Sequence, residues 1–209
     1  MKTLVAYGAK QIFVVSAIAF AQWLIQRKII FGPGGASENA IYSIGNQIFN
    51  MMTFIPSILT PIFVTKLAAA GTDVGLRRRI ALRSLRLFTG VAVCACVAVF
   101  VGLRVGIPYL PPRYASALVT GVIAAGAAFF QIVRAPFSLY FLSELKASRE
   151  MASAAAGSLF MIGATTVFDQ LTPNAGTTIR LLGCALQAMF LLCFFLFETR
   201  RYRLPPLGP

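Results

Sequence analysis

Arg134 and Lys10 have the most chemistry to offer in this sequence, because each lies inside a long apolar run. A charge at the centre of a membrane span costs roughly 2.5–3.5 kcal/mol even on the lenient insertion scale, so a cation at that depth needs a reason. A guanidinium matches a phosphate or diphosphate bidentately, and an ammonium supplies a point charge for the same groups. Gln131, Arg134 and Ser138 recur at helical spacing, and Thr120, Ala124 and Ala127 continue that face in the other direction. Pro136 can kink the same helix. On one reading Arg134 faces a wet cavity and meets an anionic group; on the other it is structural, paired with a carboxylate or with helix-end carbonyls. No acidic residue occupies the middle of an apolar run, with Asp169 the nearest, which favours the cavity. Lys10 lies close enough to the N-terminus for snorkelling to the head groups to compete with a cavity role.

A second polar stripe is longer. Ser43, Asn46, Asn50, Thr53, Ser57 and Thr60 follow one another at steps of three and four, with Gln47 beside them. Such a stripe either lines a cavity or supplies hydrogen bonds between helices. Pro56 and Pro61 on the same segment each remove a backbone donor and predict a bend between Ile55 and Pro61, which suits a protein that changes shape. Enzyme chemistry is thin by comparison. Histidine is absent, which excludes imidazole metal ligands and Ser-His-Asp triads, and Asp73, Glu144, Glu150 and Asp169 are scattered over connections. Cys94, Cys96, Cys184 and Cys193 fall in apolar runs and read as small packing residues. The chain is therefore expected to be no enzyme and to need no cofactor or metal.

These residues must be positioned by membrane helices. The 209 residues are 58% hydrophobic and 12% charged, with a mean hydropathy of +0.78. That composition describes a membrane protein. Apolar runs at about 4–26, 41–65, 87–107, 115–142, 151–171 and 178–197 predict an all-α integral membrane lobe of six transmembrane helices, followed by a basic, proline-rich tail over 199–209. The first run lacks a clean small-residue cleavage site and reads as a retained span. Trp23, Tyr109 and Tyr114 read as interface anchors, and the small residues from Ala152 to Ser158 as a close helix contact.

The net charge of +13 follows topology rather than a nucleic-acid face. Twelve Lys and Arg, among them Arg77, Arg78, Arg79, Arg83 and Arg86, fall on the side of the two termini. Five fall on the other, namely Arg27, Lys28, Arg104, Arg113 and Arg180. The positive-inside rule then places both termini in the cytoplasm. The Arg77 to Arg86 cluster reads as a topology determinant, with RNA or lipid head groups as its alternative ligands.

From Trp23 to Ala68 the order Trp23, Gly34-Gly35, Glu38, Tyr42, Asn46-Gln47, Ile55-Pro56, Leu59, Pro61 and Leu67-Ala68 resembles the start of the second half of bacterial O-antigen and polysaccharide translocases. These belong to the multidrug/oligosaccharidyl-lipid/polysaccharide exporter superfamily. The later spans agree with that family in number, spacing and charge placement but carry no motif as specific. The resemblance implies one lobe of a two-lobed exporter in the bacterial inner membrane. Its implied task is to move a polyprenyl-diphosphate-linked oligosaccharide from the cytoplasmic to the periplasmic leaflet by alternating access. It gives Arg134, Lys10, Gln131, Gln47, Asn46, Asn50 and Thr53 to the cavity and Pro56, Pro61 and Pro136 to hinges. The family has about twelve spans and this chain has half of them. The implied partners are therefore the lipid-linked glycan, membrane lipids and a second six-helix half or second copy, with no nucleic acid. The alternatives are a drug or metabolite exporter of the same superfamily, a non-transporting scaffold, a truncated lobe and, least compatible with these residues, a membrane enzyme.

Overall fold

A computed structural model describes residues 2–71, 73–109, 111–144 and 146–201. Six long helices make up the fold: α1 Lys2–Ile30, α2 Gly35–Ala69, α3 Val74–Gly106, α4 Ala117–Ser143, α5 Ala147–Val167 and α6 Pro173–Arg201. Two single 3-10 turns, Ile107–Tyr109 and Pro112–Tyr114, join α3 to α4, and no strand occurs among the described residues. The tail beyond Arg201 lies outside them.

Turn chemistry sets the connections. Gly32-Pro33-Gly34-Gly35 closes α1 onto α2, with Gly35 at φ +49, a conformation that glycine reaches without a Cβ clash. After α2, Gly71 sits at φ +54 and its N–H bonds to the Ala68 carbonyl. Asp73 then caps α3 by accepting a hydrogen bond from the Leu76 N–H at 2.9 Å. Helix α3 therefore begins at Val74, thirteen residues before the apolar run at 87, and takes the whole arginine cluster into its first turns. The leucines, alanine and arginines there are good helix formers, so charge does not end the helix.

Five helical segments, in α1, α2, α3, α4 and α6, are long and apolar enough to cross a membrane. Helix α5 is the polar exception, carrying Ser148, Arg149, Glu150, Ser153 and Ser158. Its path follows from its neighbours. The Thr120 hydroxyl and Asn174 side chain are 2.6 Å apart at the start of α4 and α6. Further along, Phe137 and Tyr140 meet Phe195 at ring distances of 5.1 and 5.2 Å. The two helices thus run parallel, and α5, which joins the end of one to the start of the other, crosses the same thickness. Its 21 residues reach about 31 Å, against a hydrocarbon core of about 30 Å.

Helix α4 is the hub, packed against α2, α3 and α6, while α5 lies between α1 and α6. Small residues allow this. Ala124, Ala125, Ala127 and Ala128 are buried along α4, and α5 meets α6 where Gly157 faces Gly183. A Cβ on Gly157 would stand 2.7 Å from the Gly183 carbonyl oxygen. The outer surface is apolar, with Phe13, Phe54, Val97, Leu159 and Phe197 each more than half exposed. That combination of apolar outside and small, polar inside belongs to a multi-pass membrane protein. Gly157→Ala should cost about 1–3 kcal/mol through overpacking at the crossing. Gly163→Ala on the same helix, where a Cβ meets nothing within 4 Å, should be neutral or slightly stabilising; equal melting temperatures for the two variants in mild detergent would refute the close crossing.

Candidate functional site

The polar residues at depth fall into three places. The first is sealed in the bundle. Arg134, 6% exposed, donates from Nη1 to Oε1 of Gln187 on α6, and its Nη2 lies 3.9 Å from Oε1 of Glu150 on α5. The Ser138 hydroxyl donates to that same carboxylate oxygen, and the Ser153 hydroxyl donates to the Gln187 main-chain carbonyl at 2.8 Å. Three helices are tied through one guanidinium. No acidic residue was expected within reach of Arg134, because Glu150 belongs to a connection when the spans are drawn from hydropathy. The helix instead begins at Ala147, which puts Glu150 in the first turn of α5, buried and turned into the bundle. A buried charge requires such a partner, since an uncompensated one costs several kcal/mol.

The same polar seam continues toward both ends of α6. At its C-terminal end Glu198, also buried, accepts from Lys146 and Arg149, and Lys146 reaches Glu144 at 2.5 Å. Partial burial opposes the Lys146 charge, but hydrogen bonds to Glu144 and Glu198 carry its ammonium above the usual lysine value. Arg149 also lies 5.3 Å from the ring centre of Phe141. Toward the start of α6, Arg180 donates to Oδ1 of Asn46 and sits 3.6 Å over the Phe49 ring. The count of charges by side treats Arg180 as a connection residue; it lies two turns inside α6 and is 3% exposed. Gln187 reads from its polarity as facing either a cavity or a partner helix, whereas Glu198 and the inward place of Arg180 are not read from the sequence, although Arg180, Cys184, Gln187, Leu191, Phe195 and Glu198 follow at steps of three and four on one face.

The second place is open. Thr53, Pro56, Ser57 and Thr60 of α2 face Gln131, Ile132 and Ala135 of α4 across a groove of about 200 Å³. The Thr53 and Thr60 hydroxyls donate to the carbonyls of Phe49 and Pro56 at 2.9 and 3.0 Å, so each is satisfied within its own helix. The third place adjoins it toward the start of α2, where Gln47 and Asn50 are exposed. Helix α2 continues through Pro56 and Pro61, and α4 through Pro136, so these prolines are available as flexible points inside unbroken helices. Lys10 lies in α1; its side chain falls outside the described residues.

The residues expected in one cavity are thus divided. Gln131, Thr53 and Pro56 share the groove, Gln47 and Asn50 stand on the adjoining surface, Asn46 joins Arg180, and Arg134 turns the other way into the bundle. No group of three potential metal ligands occurs among the described residues. Comparison with known protein families, curated proteins and solved structures finds no match to this chain. The fold and composition define a class, a multi-pass helical membrane protein with a charged seam through its centre.

Removing one partner from that seam should be costly. Glu150→Gln leaves Arg134 without its carboxylate and is expected to lose about 3–5 kcal/mol of stability. Adding Arg134→Met to it should restore most of the loss. A double-mutant cycle in detergent measures this, and additive costs would mean that the two side chains are not coupled.

Proposed function

We propose that this chain is one six-helix lobe of a bacterial inner-membrane translocator for a polyprenyl-diphosphate-linked oligosaccharide, serving polysaccharide or O-antigen synthesis. It works beside a second lobe or a second copy, moving its substrate from the cytoplasmic to the periplasmic leaflet by alternating access, with both termini cytoplasmic. The observation that supports this reading is the exposed polar face of α2. Asn50 lies near the middle of a 35-residue helix, about 22 Å of helix from its start, and it is exposed together with Gln47 and Ser57. Lipid tails offer no hydrogen bonds to such groups. A surface of that kind calls for water or a polar partner, and a cavity wall between two lobes supplies both.

In this reading the α2 face and the Gln131 groove meet hydroxyl-rich sugar. Lys10 on α1 takes the phosphate-facing role that the resemblance implies. Arg134 acts by position: it holds α4, α5 and α6 together so that α2 is presented from a rigid frame. The prolines Pro56 and Pro61 let that helix flex as the lobes rock.

Replacing the chromosomal copy with an Asn50→Leu/Ser57→Leu variant should cut surface glycan by about tenfold, roughly the loss of one net hydrogen bond to the substrate. Lipid-linked oligosaccharide should then accumulate on the cytoplasmic face while the chain remains at normal abundance. Val97→Leu, on the exposed apolar side of α3, should export normally. Undiminished export by the α2 variant would refute the cavity assignment and leave the scaffold reading.

A further inference from the structure

We infer that the first turns of α3 form a binding site for the phosphate head groups of anionic phospholipids on the basic side of the bundle. Helix α3 has 33 residues, about 50 Å of helix, which exceeds a hydrocarbon core of about 30 Å. Its exposed apolar residues set its depth. They are concentrated from Leu87 through Val97 to Val105, about 27 Å along the axis, with Leu76 and Leu82 interspersed among the arginines before them. The stretch from Val74 to Arg86 therefore projects past the hydrocarbon, through a head-group layer of about 5–8 Å on each side.

That projection carries an oriented set of arginines. Ala81, Ser84 and Phe88 are buried on the face that meets the bundle. Arg79, Arg83 and Arg86 recur at steps of four and three on the opposite face, and all three are exposed. Arg86 adjoins the edge of the hydrocarbon, and Arg83 and Arg79 lie about 4.5 and 10 Å further along. Among the described residues none of the five arginines from Arg77 to Arg86 forms an ion pair. The nearest acid in sequence, Asp73, is engaged in capping the helix. Half-buried Arg77 and Arg78 also keep their Nε atoms without a hydrogen-bond acceptor. On the same side Lys146 and Arg149 are, by contrast, matched to Glu144 and Glu198. Unmatched guanidinium groups at phosphate depth, flanked by exposed Leu82 and Leu87, complement an anionic head group whose acyl chains lie along the helix.

The test is native mass spectrometry of the full chain in mild detergent, titrated with phosphatidylglycerol or phosphatidylcholine. Preferential retention of phosphatidylglycerol is expected, with the preference falling about fivefold per arginine removed in Arg79→Gln/Arg83→Gln/Arg86→Gln. An equal reduction of charge at the other end of the bundle, Arg27→Gln/Lys28→Gln/Arg104→Gln, should leave the preference intact. Loss in both triple variants alike would reduce the effect to net charge and overturn the site. Displacement of bound lipid by inorganic phosphate at matched concentration would make it a free-anion site instead and overturn the lipid assignment. If the glutamine triple fails to fold, Arg79→Lys/Arg83→Lys/Arg86→Lys keeps the charge and removes the bidentate fork. Weaker retention of phosphatidylglycerol is then expected, and unchanged retention overturns the proposal.

Discussion

The architecture depends on a paired charge in a place that excludes water. Arg134 is stabilised only because Glu150 and Gln187 approach it from two other helices, and each of those residues is in turn held by a serine, Ser138 or Ser153. In a low dielectric the pair is strong once formed and costly when broken, so it fixes the relative register of α4, α5 and α6. Apolar packing alone would not do this between membrane helices, since lipid tails compete with leucine on nearly equal terms. The alanines of α4 and the Gly157–Gly183 crossing bring the backbones close, and the seam then selects one arrangement of them.

That fixed frame gives α5 its character. A helix with Arg149, Glu150 and several serines would cross lipid poorly by itself, yet here it is enclosed between α1 and α6 and has its charges matched by Glu198 and Arg134. The polarity that keeps α5 from looking like a span is the polarity that binds it to its neighbours. Helix α2 is the counterpart. Its Asn46 is drawn inward to Arg180, while Gln47 and Asn50, one and four residues further on, remain exposed. One helix thus joins the seam at Asn46 and, one turn further along the same stripe, displays polar groups at its surface.

Much of the helical organisation is legible in the sequence, because spans of apolar residues separated by glycine, proline and charge leave few alternatives. The small-residue contact from Ala152 to Ser158 is legible for the same reason, and Gly157 realises it. The start of α3 is less so, since hydropathy ends at Leu87 whereas the helix is decided by the Asp73 cap and by residues indifferent to helix or loop on charge grounds. The pairing of Arg134 is not legible at all from spacing along one helix. Glu150 and Gln187 are separated from it by 16 and 53 positions, and only the parallel packing of α4 on α6, with α5 alongside α6, brings the three together. Arg180 was obscured differently: a charge near a span end looks like a loop residue until the neighbouring Phe49 ring and Asn46 amide show where it points.

The charges therefore divide by what meets them, and the division constrains motion. Inside, Arg134, Arg180, Lys146 and Arg149 all have partners from another helix or connection, and a bend of α4 at Pro136 would move Arg134 and Ser138, on either side of that proline, relative to each other, so that both could not keep Glu150. Breaking such a pair costs several kcal/mol. Helix α2 past Phe49 carries no such pair among the described residues: around Pro56 and Pro61 its hydroxyls bond to carbonyls of their own helix, while Met52, Phe63 and Leu67 pack against α3 and α4. Flexing there works against apolar packing rather than against a buried ion pair. The α4–α5–α6 seam is accordingly cross-linked by charge, whereas the half of α2 beyond Phe49 is held to α3 and α4 by apolar packing.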